Sequence, residues 1–133
     1  MSGEMDLQIL LQNMQPVRHG EYAFCVLDAS AYSELAVQPL ATFQEQEGIT
    51  VILPQSDADR LGIAYSYVGT LITLNVYSSL NAVGFLAKIT AKLAANGLSL
   101  NAFSPVHHDH IFVRPEDADR TMALLLELSK EGV

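Results

Sequence analysis

The sequence predicts an α+β fold in which two β-α-β-β-α-β units exchange strands. Half of the 133 residues are hydrophobic, which is enough for one domain or for two small units that share a core. Residues 70–131 read as β-α-β-β-α, one strand short of a complete unit, and the first half begins with a helix where its opening strand should be. We therefore expect units at 1–68 (degenerate) and 69–133, the second completed by a strand from the first half. Their antiparallel sheets should carry helices on one face.

The first segment of the chain has the pattern of a short amphipathic helix. Asp6 can cap it, because its carboxylate can accept hydrogen bonds from the first free N–H groups. Pro16 should end the helix and Gly20 should mark a turn. The apolar positions follow i, i+3, i+4, i+7 spacing and are Leu7, Leu10, Leu11 and Met14.

The rest of the first half alternates strand and turn signals. Residues 22–27 form an apolar run typical of an interior strand, and residues 28–39 predict a loop with a helical turn. Residues 41–45 and 49–53 predict two strands joined by a turn at Gly48. A short helix should then start at Ser56 or Asp57 and end near Gly62, followed by a strand over 63–68 that Gly69 interrupts.

The second half has clearer periodicity. A strand over 71–76 leads into a helix that should start at Ala82, capped by Ser79 or Asn81. Asn96 and Gly97 provide a left-handed helix stop. Strands are expected at 98–103 and 111–113, and Pro115 should open the last helix, where its missing N–H does no harm.

Composition excludes several functional classes. The net charge of −8 and the scattered basic residues argue against nucleic acid and against an anionic membrane surface as partners. No apolar run approaches the roughly 20 residues that span a bilayer, and the first residues lack signal-peptide features. The single cysteine, Cys25, cannot form an internal disulfide and is expected in the core. These features favour a cytoplasmic protein.

Four motifs stand out in the sequence: residues 43–50, 72–84, 96–101 and 107–113. Together they resemble the ACT domain, a small regulatory module with a ferredoxin-like fold. The resemblance is greatest to bacterial tandem ACT-like proteins related to the ACT repeats of aspartate kinases, and it covers nearly the whole chain. It implies amino-acid binding between ACT units, a homodimer and regulation of an enzyme partner, with no catalysis by this chain.

The resemblance also implies a ligand site where the first strand of the second unit turns into its helix, completed by the facing strand. A helix start offers free N–H groups to a carboxylate, and Gly84 lets a ligand approach the backbone closely. His110 can also touch a ligand. The implied positions are Asn81, Ala82, Val83 and Gly84 in the turn, and Asn101, Ala102 and Phe103 in the strand.

Other candidate groups fit simpler explanations. His108 and His110 share one face of a strand and can approach a metal, but a third ligand must come from elsewhere. Glu45 and Glu47 are typical of a solvated hairpin tip, although they can also meet a ligand ammonium. No nucleophile motif or phosphate-binding glycine loop occurs, so we expect no catalytic set, no cofactor and no bound metal.

Three functions therefore remain open from the sequence. The first is a regulatory module that binds an amino acid or a similar small molecule. The second is an association module that keeps the fold without a ligand. The third is a metal binder or metal-dependent enzyme that uses His108 and His110.

Overall fold

The computed structural model describes residues 3–131, which divide into two compact units. We call Gly20–Gly69 the inserted unit, and the described residues of Met1–His19 and Thr70–Val133 the split unit. The predicted boundary between residues 68 and 69 stays a prediction about where the two sequence halves meet. The outermost residues of those halves, 1, 2, 132 and 133, lie outside the described residues.

Six strands and five α-helices are assigned within the described residues. A 3₁₀ turn, Pro115–Asp117, precedes the last helix. In chain order the elements are α1 (Leu7–Asn13), β1 (Gln15–Leu27), α2 (Ala29–Ser33), β2 (Ala41–Glu45), β3 (Gly48–Pro54), α3 (Gln55–Leu61), β4 (Tyr67–Asn75), α4 (Phe85–Ala95), β5 (Asn101–Phe103), β6 (Asp109–Val113) and α5 (Ala118–Glu131).

The split unit contains a complete β-α-β-β-α-β set once the first part of β1 is counted. From Thr70 the chain supplies β4, α4, β5, β6 and α5, and residues 15–19 of β1 provide the fourth strand. The strand order in this unit is β1-β4-β6-β5. β4 and β6 are antiparallel, with Ile72 opposite Ile111. The second half of the chain therefore borrows a strand from the first.

The inserted unit repeats the same order with the remaining strand segments. It runs from the second part of β1 through α2, β2, β3 and α3 into the start of β4, and its strand order is β2-β3-β1-β4. β3 is antiparallel to both neighbours: Val51 lies opposite Cys25 on β1 and Thr42 on β2. The predicted fold class, α+β with ferredoxin-like units that exchange strands, is confirmed.

The core of the split unit lies between one sheet face and helices α1, α4 and α5. Ile72 and Leu74 on β4 alternate with residues on the other face, so the two side chains point to the same core. Asp6 caps α1 by accepting a hydrogen bond from the Ile9 N–H at 3.1 Å, as predicted. The buried helical side chains of this core are Leu10, Leu11, Phe85, Ile89, Leu93, Ala118, Leu125 and Leu128.

The inserted unit has its own, smaller core. Cys25 on β1 packs there, and burial raises the pKa of its thiol. Cys25 is thus a core residue, as the sequence predicts. The other buried members are Ala23, Val51, Leu53 and Ala58.

The predicted turn at Gly20 and the predicted strand break at Gly69 are wrong. β1 begins at Gln15 and continues through Pro16 and Gly20, and β4 continues through Gly69. In the split unit β1 is the outermost strand, where a proline without an N–H is tolerated. Each long strand therefore serves both units, one unit on either side of its glycine.

The predicted start of the fourth helix is also wrong. α4 begins at Phe85 rather than at Ala82, because Gly84 has φ of 95° and left-handed backbone cannot continue a helix backward. Neither Ser79 nor Asn81 caps α4, and Val83, which the helical stripe would bury, is 82% exposed. In addition, β5 starts at Asn101 and is shorter than the predicted strand.

Candidate functional site

The loop of residues 76–84 connects β4 to α4 and is shaped by its own hydrogen bonds. Ala82 N–H donates to the Ser79 carbonyl at 3.0 Å, and Asn81 N–H donates to Ser79 Oγ at 3.1 Å. Gly84 then has a positive φ, a conformation that glycine adopts readily, and α4 starts at the next residue. The loop is therefore a folded turn that ends at the open end of a helix.

A cavity of about 190 Å³ lies where this loop meets the first turn of α4. The first hydrogen bond of the helix runs from Lys88 N–H to the Gly84 carbonyl at 3.0 Å. The N–H groups of the three preceding residues have no acceptor inside the helix, and all three residues line the cavity. The lining residues are Ser78, Ser79, Leu80, Ala82, Gly84, Phe85, Leu86, Ala87, Ser104 and Asp109.

Asp109 gives the cavity its charge. It is 9% exposed, and its Oδ2 accepts a hydrogen bond from Ser78 Oγ at 3.3 Å. Among the described residues that line the cavity, only Asp109 is ionisable. The site thus combines a buried acidic side chain with the partial positive charge of a helix start.

The structure places the predicted site residues in three groups. Ala82 and Gly84 line the cavity. Asn81 and Val83 belong to the same loop, but both are exposed and neither lines the cavity. The others lie on β5 and β6 outside the cavity lining: Asn101, Ala102, Phe103 and His110.

Two residues next to predicted positions also line the cavity. Ser104 directly follows Phe103 and reaches the cavity, whereas the Phe103 ring packs edge-on against Phe112 with centroids 5.7 Å apart. Asp109 was missed, although strand alternation could have identified it. Side chains alternate along a strand, so Asp109 faces the side of β6 opposite to His110.

His110 belongs to a histidine cluster on the opposite side of β6. Thr73 Oγ1 lies 3.0 Å from His110 Nδ1 and 3.0 Å from His19 Nε2, so one hydroxyl connects two imidazoles. The His108 ring centroid lies 6.4 Å from that of His110. Burial, and then repulsion from His108 and His19, lower the pKa of His110, while Asp109 opposes the shift.

The remaining candidates are the histidines as metal ligands and the pair Glu45 and Glu47. Within residues 3–131, no three His, Cys, Asp or Glu side chains are grouped as metal ligands would be. In the inserted unit, Glu45 accepts a hydrogen bond from Thr50 Oγ1 at 2.7 Å beside the β2–β3 turn. Glu47 is exposed in that turn.

Comparison with known proteins identifies the class that this fold and site define. ACT-domain family models match residues 2–69 and residues 66–127 in tandem. The chain belongs to the ACT-domain family, whose members are typically regulatory modules that bind small molecules and are not catalytic. The resemblance found in the sequence is confirmed.

Solved structures agree with this assignment. A Vibrio cholerae protein of unknown function, described as a possible transport protein, is 40% identical with a TM-score of 0.82, over 92% of this chain and 95% of that one. A structure of aspartokinase alpha and beta subunits is 12% identical with a TM-score of 0.65, over 86% of this chain and 97% of that one. The aspartate kinase regulatory subunit from Thermus thermophilus is 8% identical with a TM-score of 0.54, over 86% and 95%.

The two kinase structures share the fold alone with this chain, since their identities are low. A comparison with curated proteins found no match. Among residues 3–131, no helix combines the length and the apolar character needed to cross a bilayer.

Proposed function

We propose that this protein is a regulatory module that binds a free amino acid in the cavity at the start of α4, and that it catalyses no reaction itself. The observation that carries the proposal is that Asp109 and the first turn of α4 line the same cavity. An amino acid carries an ammonium group and a carboxylate on one carbon. The cavity offers an acceptor for the first group and N–H donors for the second.

The electrostatics of the cavity match such a zwitterion. Asp109 is largely withdrawn from water, so a hydrogen bond to an ammonium ion there is charge-assisted and stabilises the complex by about 1.5–3 kcal/mol. The helix start favours an anion by about 0.3–1 kcal/mol. A ligand with only a negative charge is disfavoured, because its charge would meet Asp109.

Regulation would follow from a shift between packing states of ACT units. A ligand that contacts one arrangement better than another shifts the population toward it by its differential affinity. We propose that the responding enzyme is a partner protein. The cytoplasm suits this role, because free amino acids are present there and a reduced buried thiol such as Cys25 is ordinary.

A homodimer is part of the proposal, and one surface of the inserted unit supports it. β2 is the outermost strand of that unit. Phe43 on β2 and Val26 on β1 both lie opposite Thr50, and they are 66% and 62% exposed. Exposed apolar side chains on an outer strand and near it form the kind of surface that a second copy can cover. Association without any ligand is the alternative function that this surface favours.

A thermal-shift screen tests the proposed function. The protein is heated with each of the twenty amino acids and, separately, with common divalent metal salts. A ligand at 100 times its Kd stabilises the folded state by about 2.7 kcal/mol. We expect a selective rise in Tm with one amino acid or a small related group, and none with metals alone.

Asp109→Asn is the matched variant, because it keeps the side-chain size and removes the charge. We expect it to abolish the rise in Tm. Glu47→Gln is the control, since it removes one exposed carboxylate from the turn of the inserted unit and should leave the response unchanged. A response that survives Asp109→Asn contradicts the assigned site. If no amino acid raises the Tm, the result favours the association module instead.

A further inference from the structure

A short segment before α1 lies beside the loop of residues 76–84 and forms hydrogen bonds to the residues on either side of Ser78. Glu4 N–H donates to the Tyr77 carbonyl at 2.8 Å, and Ser79 N–H donates to the Glu4 carbonyl at 2.9 Å. These bonds form a parallel bridge between Glu4 and Ser78. We call residues 3–6 the strap.

The strap approaches the loop so closely that only glycine fits at its start. A Cβ built on Gly3 would lie 2.6 Å from the Ser78 carbonyl carbon and 2.7 Å from the Ser79 nitrogen. Both atoms belong to the backbone and cannot rotate away. Any side chain at this position must lift the strap from the loop or displace the loop itself.

The other end of the strap is fixed to the core. Glu4 Oε2 accepts hydrogen bonds from Met5 N–H and Asp6 N–H, each at 3.0 Å. Asp6 in turn caps α1, whose Leu10 and Leu11 are fully buried. The strap therefore connects a core helix directly to the loop of residues 76–84.

We propose that the strap is a positioning element of the amino-acid site: its backbone holds Ser78, and the Ser78 hydroxyl holds Asp109 in the cavity. The two bridge bonds flank Ser78, which is 7% exposed and donates to Asp109 Oδ2. We therefore expect movement of the strap to change the orientation of the carboxylate. The consequence for binding rests on the proposed function, whereas the positioning of Asp109 does not.

Gly3→Ala is the test variant and Gly20→Ala is its control, because a Cβ at Gly20 meets nothing within 4 Å. Two measurements need no ligand: hydrogen exchange of the Ser79 amide and the ¹³C shift of the Asp109 carboxyl carbon. We expect Gly3→Ala to lose the protection of Ser79 and to shift the Asp109 signal, while the thermal transition of the whole chain persists. Gly20→Ala should change neither signal. An unmoved Asp109 signal in Gly3→Ala overturns the proposal.

Titration with the twenty amino acids tests the consequence for binding. Gly3→Ala should weaken the Kd by about tenfold to a hundredfold, the loss expected for one hydrogen bond to a charged group. In a Ser78→Ala background the same change should add little, because the strap acts through that hydroxyl. If the effects of Gly3→Ala and Ser78→Ala on the Kd add fully, or if Gly3→Ala leaves the Kd unchanged, the strap has no role in binding through Ser78. If the unaltered protein binds no amino acid, the proposed function fails, and the Asp109 signal alone decides whether the strap positions the carboxylate.

Discussion

Removing the first part of the chain should unfold the second half, although that half contains most of the split unit. The polypeptide 70–133 lacks α1 and residues 15–19 of β1. It loses three core side chains that are at most 1% exposed: Leu10, Leu11 and Met14. Burial of such a side chain contributes about 1.5–3 kcal/mol, so the three together contribute about 5–9 kcal/mol. A domain has a total stability of about 5–15 kcal/mol, and the loss is therefore decisive.

The control is a polypeptide that restores the missing segment without the inserted unit. In this polypeptide a short glycine–serine linker replaces residues 20–69 and connects His19 to Thr70. His19 contacts Thr73 through its imidazole, so the two segments already lie side by side. We expect this shortened chain to fold, because it contains the whole core of the split unit.

The assay compares the full chain, the 70–133 polypeptide and the shortened chain by circular dichroism melting and amide NMR spectra. Only the 70–133 polypeptide should lack a cooperative transition and dispersed amide signals. A cooperative melt of that polypeptide close to that of the full chain would refute the reasoning. Failure of the shortened chain would equally show that the split unit does not have an independent core.

Three further outcomes are expected. The pKa of His110 is lowered in the folded chain, so below a pH of about 6.5, the ordinary pKa of histidine, the unfolded chain takes up a proton at this residue more readily than the folded chain does. The free energy of unfolding should therefore fall as the pH falls through this window. His110→Gln should flatten that slope in urea melts at several pH values, and an unchanged slope would exclude His110 as the cause. Gly84→Asp should abolish any amino-acid response in the thermal-shift screen, because it adds a negative charge to the cavity and strains a backbone with φ of 95°. The test is decisive only if the unliganded variant still folds by circular dichroism, and a preserved response would contradict the site. Phe43→Arg should convert a dimer to a monomer in light scattering, whereas Leu126→Arg, on an exposed position of α5, should not; equal behaviour of the two variants would contradict a β2 interface.

Local signals predicted most elements because each depends on neighbouring residues. The cap at Asp6, the turn between β2 and β3 and the helix end at Gly62 were all predicted from short-range patterns and are confirmed. The errors occurred where tertiary pairing overrides local preference. Gly20 and Gly69 resemble turn residues, but each lies within a long strand that pairs on both sides of the glycine, one part in each unit.

The candidate site was only partly predictable for a related reason. The junction before α4 could be inferred, because the resemblance and the small residues of the loop both indicate it. The helix start could not be located, since nothing in the local pattern shows that Gly84 takes a positive φ. Asp109 is 25 residues beyond Gly84 in sequence and reaches the cavity only through the antiparallel pairing of β6 with β4, in which it lies opposite Leu74.

The equivalent junction in the inserted unit explains why only one such cavity is proposed per chain. There β1 ends at Leu27 and α2 begins at Ala29, so a single residue replaces the nine-residue loop of the split unit at 76–84. That residue, Asp28, accepts a hydrogen bond from Ala31 N–H at 2.8 Å and places its own carboxylate at the helix start. A ligand carboxylate would meet an occupied donor and a like charge. The start of α2 is thus capped by the Asp28 side chain, whereas the start of α4 has no side-chain cap and lines a cavity. We therefore expect the proposed ligand to bind with a stoichiometry of one per chain.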